Sequence, residues 1–325
     1  MVMAQALFMH LKSRSPAAEI DVVAPGWSVP LLERMPEVRK GIDLGLGHGE
    51  LRIAKRRALG IRLRERAYDW AIVLPRSLKA ALVPAFARIP RRTGFRGEYR
   101  YGLLNDIRPF DKAVLNQTVR RFVALGSDEL PDPIPQPRLQ VDEQKAAALF
   151  ERFEIDAHKP RIVIAPGAEY GSAKRWPADA FGKLAQQLTA DGYEVIILGS
   201  QKERALGEEI HALAESPHVK NLCGLTELVD AVDLLGTAQA AVCNDSGLLH
   251  VAAASGAPLV ALYGSSSPYF TPPLTENARV IYEALSCSPC FKRECPLGHL
   301  DCLRKIEPSR VRSELNGLVA TGGAA

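Results

Sequence analysis

Aromatic residues are scarce in this 325-residue chain: ten Phe, eight Tyr and three Trp, 6% of the total. They do not interleave with Lys and Arg, which excludes a stacking platform for single-stranded nucleic acid. No apolar run approaches the roughly 20 residues needed to span a bilayer. The N-terminus has neither the charged start nor the continuous apolar core of a signal peptide, so the chain is expected to stay in the cytoplasm. Residues 2–13 read instead as an amphipathic helix. A GxGxxG fingerprint and a GxxxxGK[ST] loop are both missing, which weakens dinucleotide and P-loop readings. There is no internal repeat, and low complexity is confined to a Gly/Ala tail at 321–325.

Apolar residues make up 47% of the chain, as in a packed globular protein, and the length suits two α/β domains. The net charge of +4 hides an asymmetry. Residues 1–155 hold 26 Lys and Arg against 18 Asp and Glu, or +8, and residues 156–325 hold 15 against 19, or −4. A basic first half points to an anionic partner. The segment 50–66 alone reads as a solvated helix, with Ile53, Leu59, Ile61 and Leu63 facing inward and its arginines outward.

Strand-like runs alternate with helix-like runs. Strands are expected at 20–24, 70–74, 161–165, 194–198, 240–243, 258–263 and 279–282, and several are apolar throughout, like buried parallel strands. Helices are expected at 142–153, 177–190, 203–214, 227–237, 247–255 and 308–318, with Pro177 in a first helical position. This alternation indicates doubly wound α/β layers. Four prolines within 128–137 form a stiff connector. The division expected is 1–150 and 151–325, two similar halves with a ligand cleft between them.

The stretch NDSGLLHVAAA (244–254) follows an apolar strand and opens a small-residue helix. A helix N-terminus with unpaired N–H groups suits a phosphate. Asp245 can hold hydroxyls or a cation, and His250 lies one turn in. The competing reading is a simple helix cap by Asp245 or Ser246. Two further polar loops sit at strand ends: 166–176, which carries Gly167, Gly171, Lys174 and Arg175, and 199–203. Three convergent loops favour a nucleotide or nucleotide-sugar site.

The segments MVMAQALF (1–8), LGHG (46–49), LPRSLKAALVP (74–84), RTGFRGEYRYGLLNDIR (92–108), PGAEYGSAKRWP (166–177), NDSGLLHVAAA and ALYGSSSPYFTPP (261–273) resemble the ADP-heptose:lipopolysaccharide heptosyltransferases of glycosyltransferase family 9. The resemblance implies a GT-B fold of two Rossmann-like domains, with the acceptor on the first and ADP-heptose on the second. It implies inverting transfer of heptose to heptosyl-Kdo2-lipid A, at the cytoplasmic face of the inner membrane and without nucleic acid. It assigns Lys174 to the donor phosphates and Asp245 to heptose hydroxyls. Ser246, Gly247 and His250 would surround the diphosphate, Gln201 or Glu203 would lie near the ribose, and Thr226 near the adenine. Arg76, Ser77, Lys79, Arg92, Arg96 and Arg100 would face the phosphorylated, carboxylated acceptor. Arginine forks also suit internal carboxylates, so about half of these are expected to reach it. No cofactor is required, and a Mg2+ ion beside the diphosphate is left open.

In the family, the first strand and a Gly-Asp turn precede the segment matching MVMAQ. The general-base aspartate and that strand are therefore expected upstream of Met1, which would leave residues 1–325 inactive. Cys287, Cys290, Cys295 and Cys302 read C-x2-C-x4-C-x6-C with His299 nearby. Packed free thiols are the favoured reading and a structural metal the lesser one. Cys223 and Cys243 read as buried small residues. The rival functions are another heptosyltransferase of the pathway, a nucleotide-sugar epimerase that turns over donor without acceptor, and a non-catalytic ADP-sugar binder.

Overall fold

The computed structural model describes residues 1–47 and 49–322; His48 of the LGHG segment and residues 323–325 of the tail lie outside the described residues. The chain divides into two compact units, Met3–Pro135 and the residues from Gln136 onward.

The first unit contains α1 (Gln5–Arg14), β1 (Ile20–Ala24), α2 (Val29–Leu32), β2 (Val38–Asp43), α3 (Ile53–Leu63), β3 (Trp70–Val73), α4 (Leu78–Phe86), β4 (Arg91–Phe95), β5 (Asp106–Arg108) and α5 (Thr118–Val123). Its strands are parallel: β1 pairs with β2, and β3, β4 and β5 form a second ladder in that order. Leu59 and Leu63 of α3 pack with Val83, Ala87 and Ile89 in one small core. The inward face of α3 differs from the expected one. Ile53 and Ile61 are exposed, whereas Arg56 is buried because its guanidinium donates to the carbonyls of Leu51 and Glu50. Three strands here were not expected, because β2 (VRKGID), β4 (RRTGF) and β5 (DIR) are short and rich in charge. Pairing makes that charge tolerable: Arg39 of β2 bonds Asp21 of β1, and Arg91 of β4 bonds Asp106 of β5 while stacking on Trp70 of β3 at 4.2 Å.

The second unit contains α6 (Glu143–Arg152), β6 (Arg161–Ala165), α7 (Ala178–Ala190), β7 (Glu194–Ile197), α8 (Arg204–Ala214), β8 (Val219–Asn221), α9 (Leu228–Gly236), β9 (Ala240–Asn244), α10 (Gly247–Ala254), β10 (Leu259–Tyr263), β11 (Ala278–Tyr282), α11 (Asp301–Arg304) and α12 (Pro308–Gly322). It starts earlier than the expected 150/151 division. Helix α6 packs on α9, Asp142 N donates to Asp233 Oδ1 at 2.7 Å, and Leu139 N donates to Ala254 O at 2.8 Å.

Its six-stranded sheet is parallel throughout, in the order β11-β10-β9-β6-β7-β8. The central strands β6, β7, β9 and β10 are buried almost end to end, which explains why polar residues occur only at their ends. Alternate residues serve opposite faces. Ile162, Ile164, Val195, Ile197, Val242, Val260 and Leu262 share one core with Phe181 and Leu184 of α7, Ile210 of α8 and Leu315 of α12. The chain order reverses between β6 and β9, which makes their carboxyl ends a topological switch point where ligands bind in open α/β sheets. Pro177 is the N-cap of α7, not its first helical residue: its ψ of 146° is extended and the helix begins at Ala178.

Candidate functional site

The loops that leave β6 and β9 meet at this switch point. Asn244, the last residue of β9, is fully buried and ties the two together: its Nδ2 donates to Pro166 O at 2.7 Å and its Oδ1 accepts from Trp176 N at 3.1 Å. Asp245 and Lys174 are thereby brought side by side. Lys174 Nζ lies 2.5 Å from Asp245 Oδ2, and Thr271 Oγ1 lies 3.4 Å from the other carboxylate oxygen.

Helix α10 starts two residues later. Its N-cap, Ser246, has extended φ and ψ of −145° and 179° and makes no side-chain cap bond. The simple cap is therefore not what the structure shows: Asp245 pairs with Lys174, and the first N–H groups of α10 are left to meet another anion. Gly247 opens the helix exposed, and a Cβ built there meets nothing within 4 Å. His250 follows one turn in. Burial pushes its pKa down to about 4, the nearby Asp245 carboxylate opposing and Lys174 adding to the shift. At neutral pH it is an uncharged hydrogen-bonding group, and its buried Nδ1 has no protein partner. Sequence reasoning missed two neighbours of the same kind, the buried and unpartnered hydroxyls of Ser265 and Ser266 just beyond β10. Their signal was a run of three serines directly after a fully buried strand.

The remaining second-unit candidates line up along the sheet. Gln201 and Glu203 follow β7, and Thr226 follows β8, so they lie one and two strands away from β6. At about 4.8 Å per strand, the row suits a long ligand laid across the strand ends. Glu203 has a structural duty: its Oε2 accepts from Ser200 N at 2.7 Å in a capping box. Its carboxylate lies against Gly167, where a Cβ would come within 1.9 Å of Oε1, so a side chain there would have to push Glu203 aside.

In the first unit, Arg76, Ser77 and Lys79 follow β3 and Arg96 follows β4, all at the carboxyl ends of the strands. Arg76 Nε donates to Arg96 O at 3.2 Å, and its guanidinium sits 4.6 Å from the centre of the Phe110 ring. Arg121, which the sequence did not single out, stacks on the same ring at 5.1 Å. Burial first, and then the charge of Arg76, hold both Arg121 and Arg100 below their ordinary pKa. Such crowding of like charge favours an anion. Ser77 is the N-cap of α4 without a side-chain cap bond, and Leu78 N bonds instead to Glu98 Oε2 at 3.0 Å.

Two of the arginines expected to face the acceptor are engaged with backbone carbonyls. Arg100 is 1% exposed, and its guanidinium donates to Pro75 O at 2.6 Å and Phe95 O at 2.5 Å, so it fastens the loop after β3 to the end of β4. Arg92 stands near the opposite end of the ladder, in register with Ala71, and donates to the carbonyls of Leu103 and Ile89.

Residues 56–301 match the model of glycosyltransferase family 9, the heptosyltransferases. Lipopolysaccharide heptosyltransferase 2 of Salmonella typhimurium is 48% identical over 99% of this chain and 96% of its own length. Lipopolysaccharide heptosyltransferase 2 of Escherichia coli K12 is 48% identical over 98% of this chain and 95% of its own length. The solved structure of E. coli ADP-heptose lps heptosyltransferase II matches with a TM-score of 0.90 and 45% identity, over all of this chain and 96% of that one. The α/β architecture is that of the GT-B class.

Proposed function

The chain belongs to glycosyltransferase family 9, the heptosyltransferases, and on that footing we propose that it transfers L-glycero-D-manno-heptose from ADP-heptose to heptosyl-Kdo2-lipid A during assembly of the lipopolysaccharide inner core. The observation that carries this reading is the Lys174–Asp245 pair beside the uncapped start of α10, with further polar residues strung along the ends of β7 and β8.

In this reading the diphosphate lies over the N–H groups at the start of α10, between Ser246, Gly247 and Lys174. His250 meets it as a neutral hydrogen-bonding group. Asp245 exchanges part of its bond with Lys174 for heptose hydroxyls. Gln201 reaches the ribose while Glu203 holds that loop in shape, and Thr226 borders the adenine. Arg76, Ser77, Lys79 and Arg96, with Arg121 behind them, receive the carboxylates and phosphates of the acceptor.

The transfer is one displacement. The acceptor hydroxyl oxygen bonds to the anomeric carbon as the bond from that carbon to the diphosphate oxygen breaks, which inverts the configuration. The hydroxyl proton passes to a base, and ADP leaves with the electron pair. Charge growing on the leaving phosphate is met by Lys174 and the α10 amides, already in position before it forms. A Mg2+ ion on the diphosphate would add to the same effect. No helix among the described residues is long and apolar enough to cross a membrane. The enzyme works as a peripheral protein at the cytoplasmic face of the inner membrane, with its basic first half toward the anionic acceptor.

Calorimetry with ADP-heptose, UDP-glucose as control and the Asp245→Ala variant tests the donor assignment. Selective binding of ADP-heptose that the variant loses is expected. Equal binding of both sugars by a folded sample would remove it.

A further inference from the structure

The segment from Cys287 to Cys302 takes no part in the donor contacts above, yet it is fastened to the loop that supplies them. Phe291 N donates to Ser265 O at 2.7 Å, Tyr170 Oη donates to Phe291 O at 2.7 Å, and Ala173 N donates to Arg293 O at 3.0 Å. At Gly171 a Cβ would fall 2.3 Å from Arg293 O, so the two loops meet backbone to backbone. The main chain of Arg293 is thereby set against the residues immediately before Lys174.

Its side chain keeps the same company. The Arg293 guanidinium carbon lies 5.5 Å from the centre of the Tyr170 ring, and Lys174 Nζ lies 5.2 Å from the same centre. Two cations from different loops thus border one aromatic ring. The carboxylates of the donor loops are engaged elsewhere: Asp245 pairs with Lys174, and Glu169 pairs with Lys202 at 2.7 Å. Arg293 is exposed, and among the described residues no carboxylate pairs with its guanidinium. Its contact with an exposed ring is weak and is readily exchanged for a phosphate oxygen.

Charge balance at the donor site calls for such a group. Lys174 is largely cancelled by Asp245, and His250 is neutral at pH 7. The start of α10 adds about half a positive charge, against about two negative charges on the diphosphate of ADP-heptose and a third that develops as ADP leaves. Position selects the phosphate. Arg293 reaches the site from the side of Ser265, beyond β10, whereas the nucleoside end of the donor is assigned to the loops after β7 and β8, on the other side of β6. The phosphate on the Arg293 side is the one that carries the sugar.

Resting on the donor reading above, we propose that Arg293 is a second cationic ligand of the donor diphosphate, moving from the Tyr170 ring onto the β-phosphate when the nucleotide sugar binds. Its planar fork can grip two oxygens of that phosphate, which Lys174 as a point charge cannot do. The segment 287–302 then serves the reaction by holding this arginine in reach of the leaving group.

The test is calorimetry of the full chain with ADP, AMP and adenosine, comparing the unmutated protein with Arg293→Gln, Arg293→Lys and Lys292→Gln. Arg293→Gln should weaken ADP about tenfold or more and leave AMP, which lacks the β-phosphate, and adenosine within about twofold. Arg293→Lys should recover part of the loss, and Lys292→Gln, which removes the neighbouring exposed charge, should keep ADP within about twofold of the unmutated chain. Thermal melts of all three variants should coincide with that of the unmutated chain, because the Arg293 contacts to the donor loop run through its carbonyl. Unchanged ADP binding by Arg293→Gln overturns the proposal. So does an equal loss for ADP, AMP and adenosine, which would mean that the arginine only shapes the loop, or an equal loss in Lys292→Gln, which would mean a diffuse field. Failure of the folded, unmutated chain to bind ADP removes the donor reading itself, and the proposal with it.

Discussion

Lys174 Nζ stands 2.5 Å from Asp245 Oδ2, joining residues 71 positions apart across the switch point between β6 and β9. The side chains are only 18% and 5% exposed, so removing either partner strands the other in poor solvent. Lys174→Met and Asp245→Asn are each expected to weaken ADP-heptose binding about 100-fold or more, about 2.7 kcal/mol. In urea unfolding the double variant should be about 1–3 kcal/mol more stable than the sum of the single losses implies. Strictly additive losses would mean that the pair carries no coupling energy.

Asn244 determines whether those two residues meet at all. Asn244→Ala removes both of its bonds and leaves a buried carbonyl and a buried N–H unpaired, a loss of about 2–4 kcal/mol. Asn244→Asp should keep the bond from Trp176 N but set a carboxylate oxygen against Pro166 O. Unfolding midpoints compared at pH 7 and pH 5 should show the Asp variant regaining ground on the Ala variant in acid, where its carboxyl can donate. No regain would mean the Asp side chain has turned away.

Acid should weaken the protein through His250. Its folded pKa, about 4, lies below the ordinary 6.5, so the unfolded chain takes up the proton first. The contribution is complete above about pH 6.5, declines as pH falls toward 4 and then levels off, with a total of no more than about 3 kcal/mol. Burial also lowers His10, in the first unit, and this acts in the same direction. The difference between the chain and His250→Gln across pH 7 to 4.5 isolates the one residue, and the variant should show the flatter profile. Parallel profiles would count against a neutral, buried imidazole.

Arg96 and Arg100 are neighbours in sequence with opposite expectations. Arg100→Met deprives the carbonyls of Pro75 and Phe95 of their donor and should cost about 2–4 kcal/mol of stability, with acceptor KM in the folded fraction little changed. Arg96 is exposed, so Arg96→Ala should leave the melting temperature within about a degree and raise acceptor KM several-fold. Transfer assays beside thermal melts separate the two, and the reverse pattern would exchange their roles.

The second unit was easy to read along the chain because burial on both faces forces the interiors of β6, β7, β9 and β10 to be apolar, with polar residues only at Arg161, Glu194 and Asn244 at strand ends. The first unit was harder. Its strands β2, β4 and β5 carry Arg39, Arg91, Arg92 and Asp106, and such residues look like loop until their partners on adjacent strands are known. Lys174, Asp245 and the start of α10 were legible because a strand, a polar turn and a small-residue helix are local patterns. Arg121 and the hydroxyls of Ser265 and Ser266 were not, since nothing local separates an arginine stacked on a distant ring, or an unpartnered serine, from an ordinary one.

Sequence by itself determined the alternation of strand and helix, the basic character of the first half and the family, because each follows from residue type and near-neighbour spacing. Tertiary structure alone decided which charges are available. It buried Arg100 and Arg56 against backbone carbonyls, turned Glu203 to a capping box, and gathered four cysteines around one cavity. The reason is physical: a charged side chain is a ligand for whatever donor or acceptor the fold brings within about 3 Å, and that partner is seldom a neighbour in the chain.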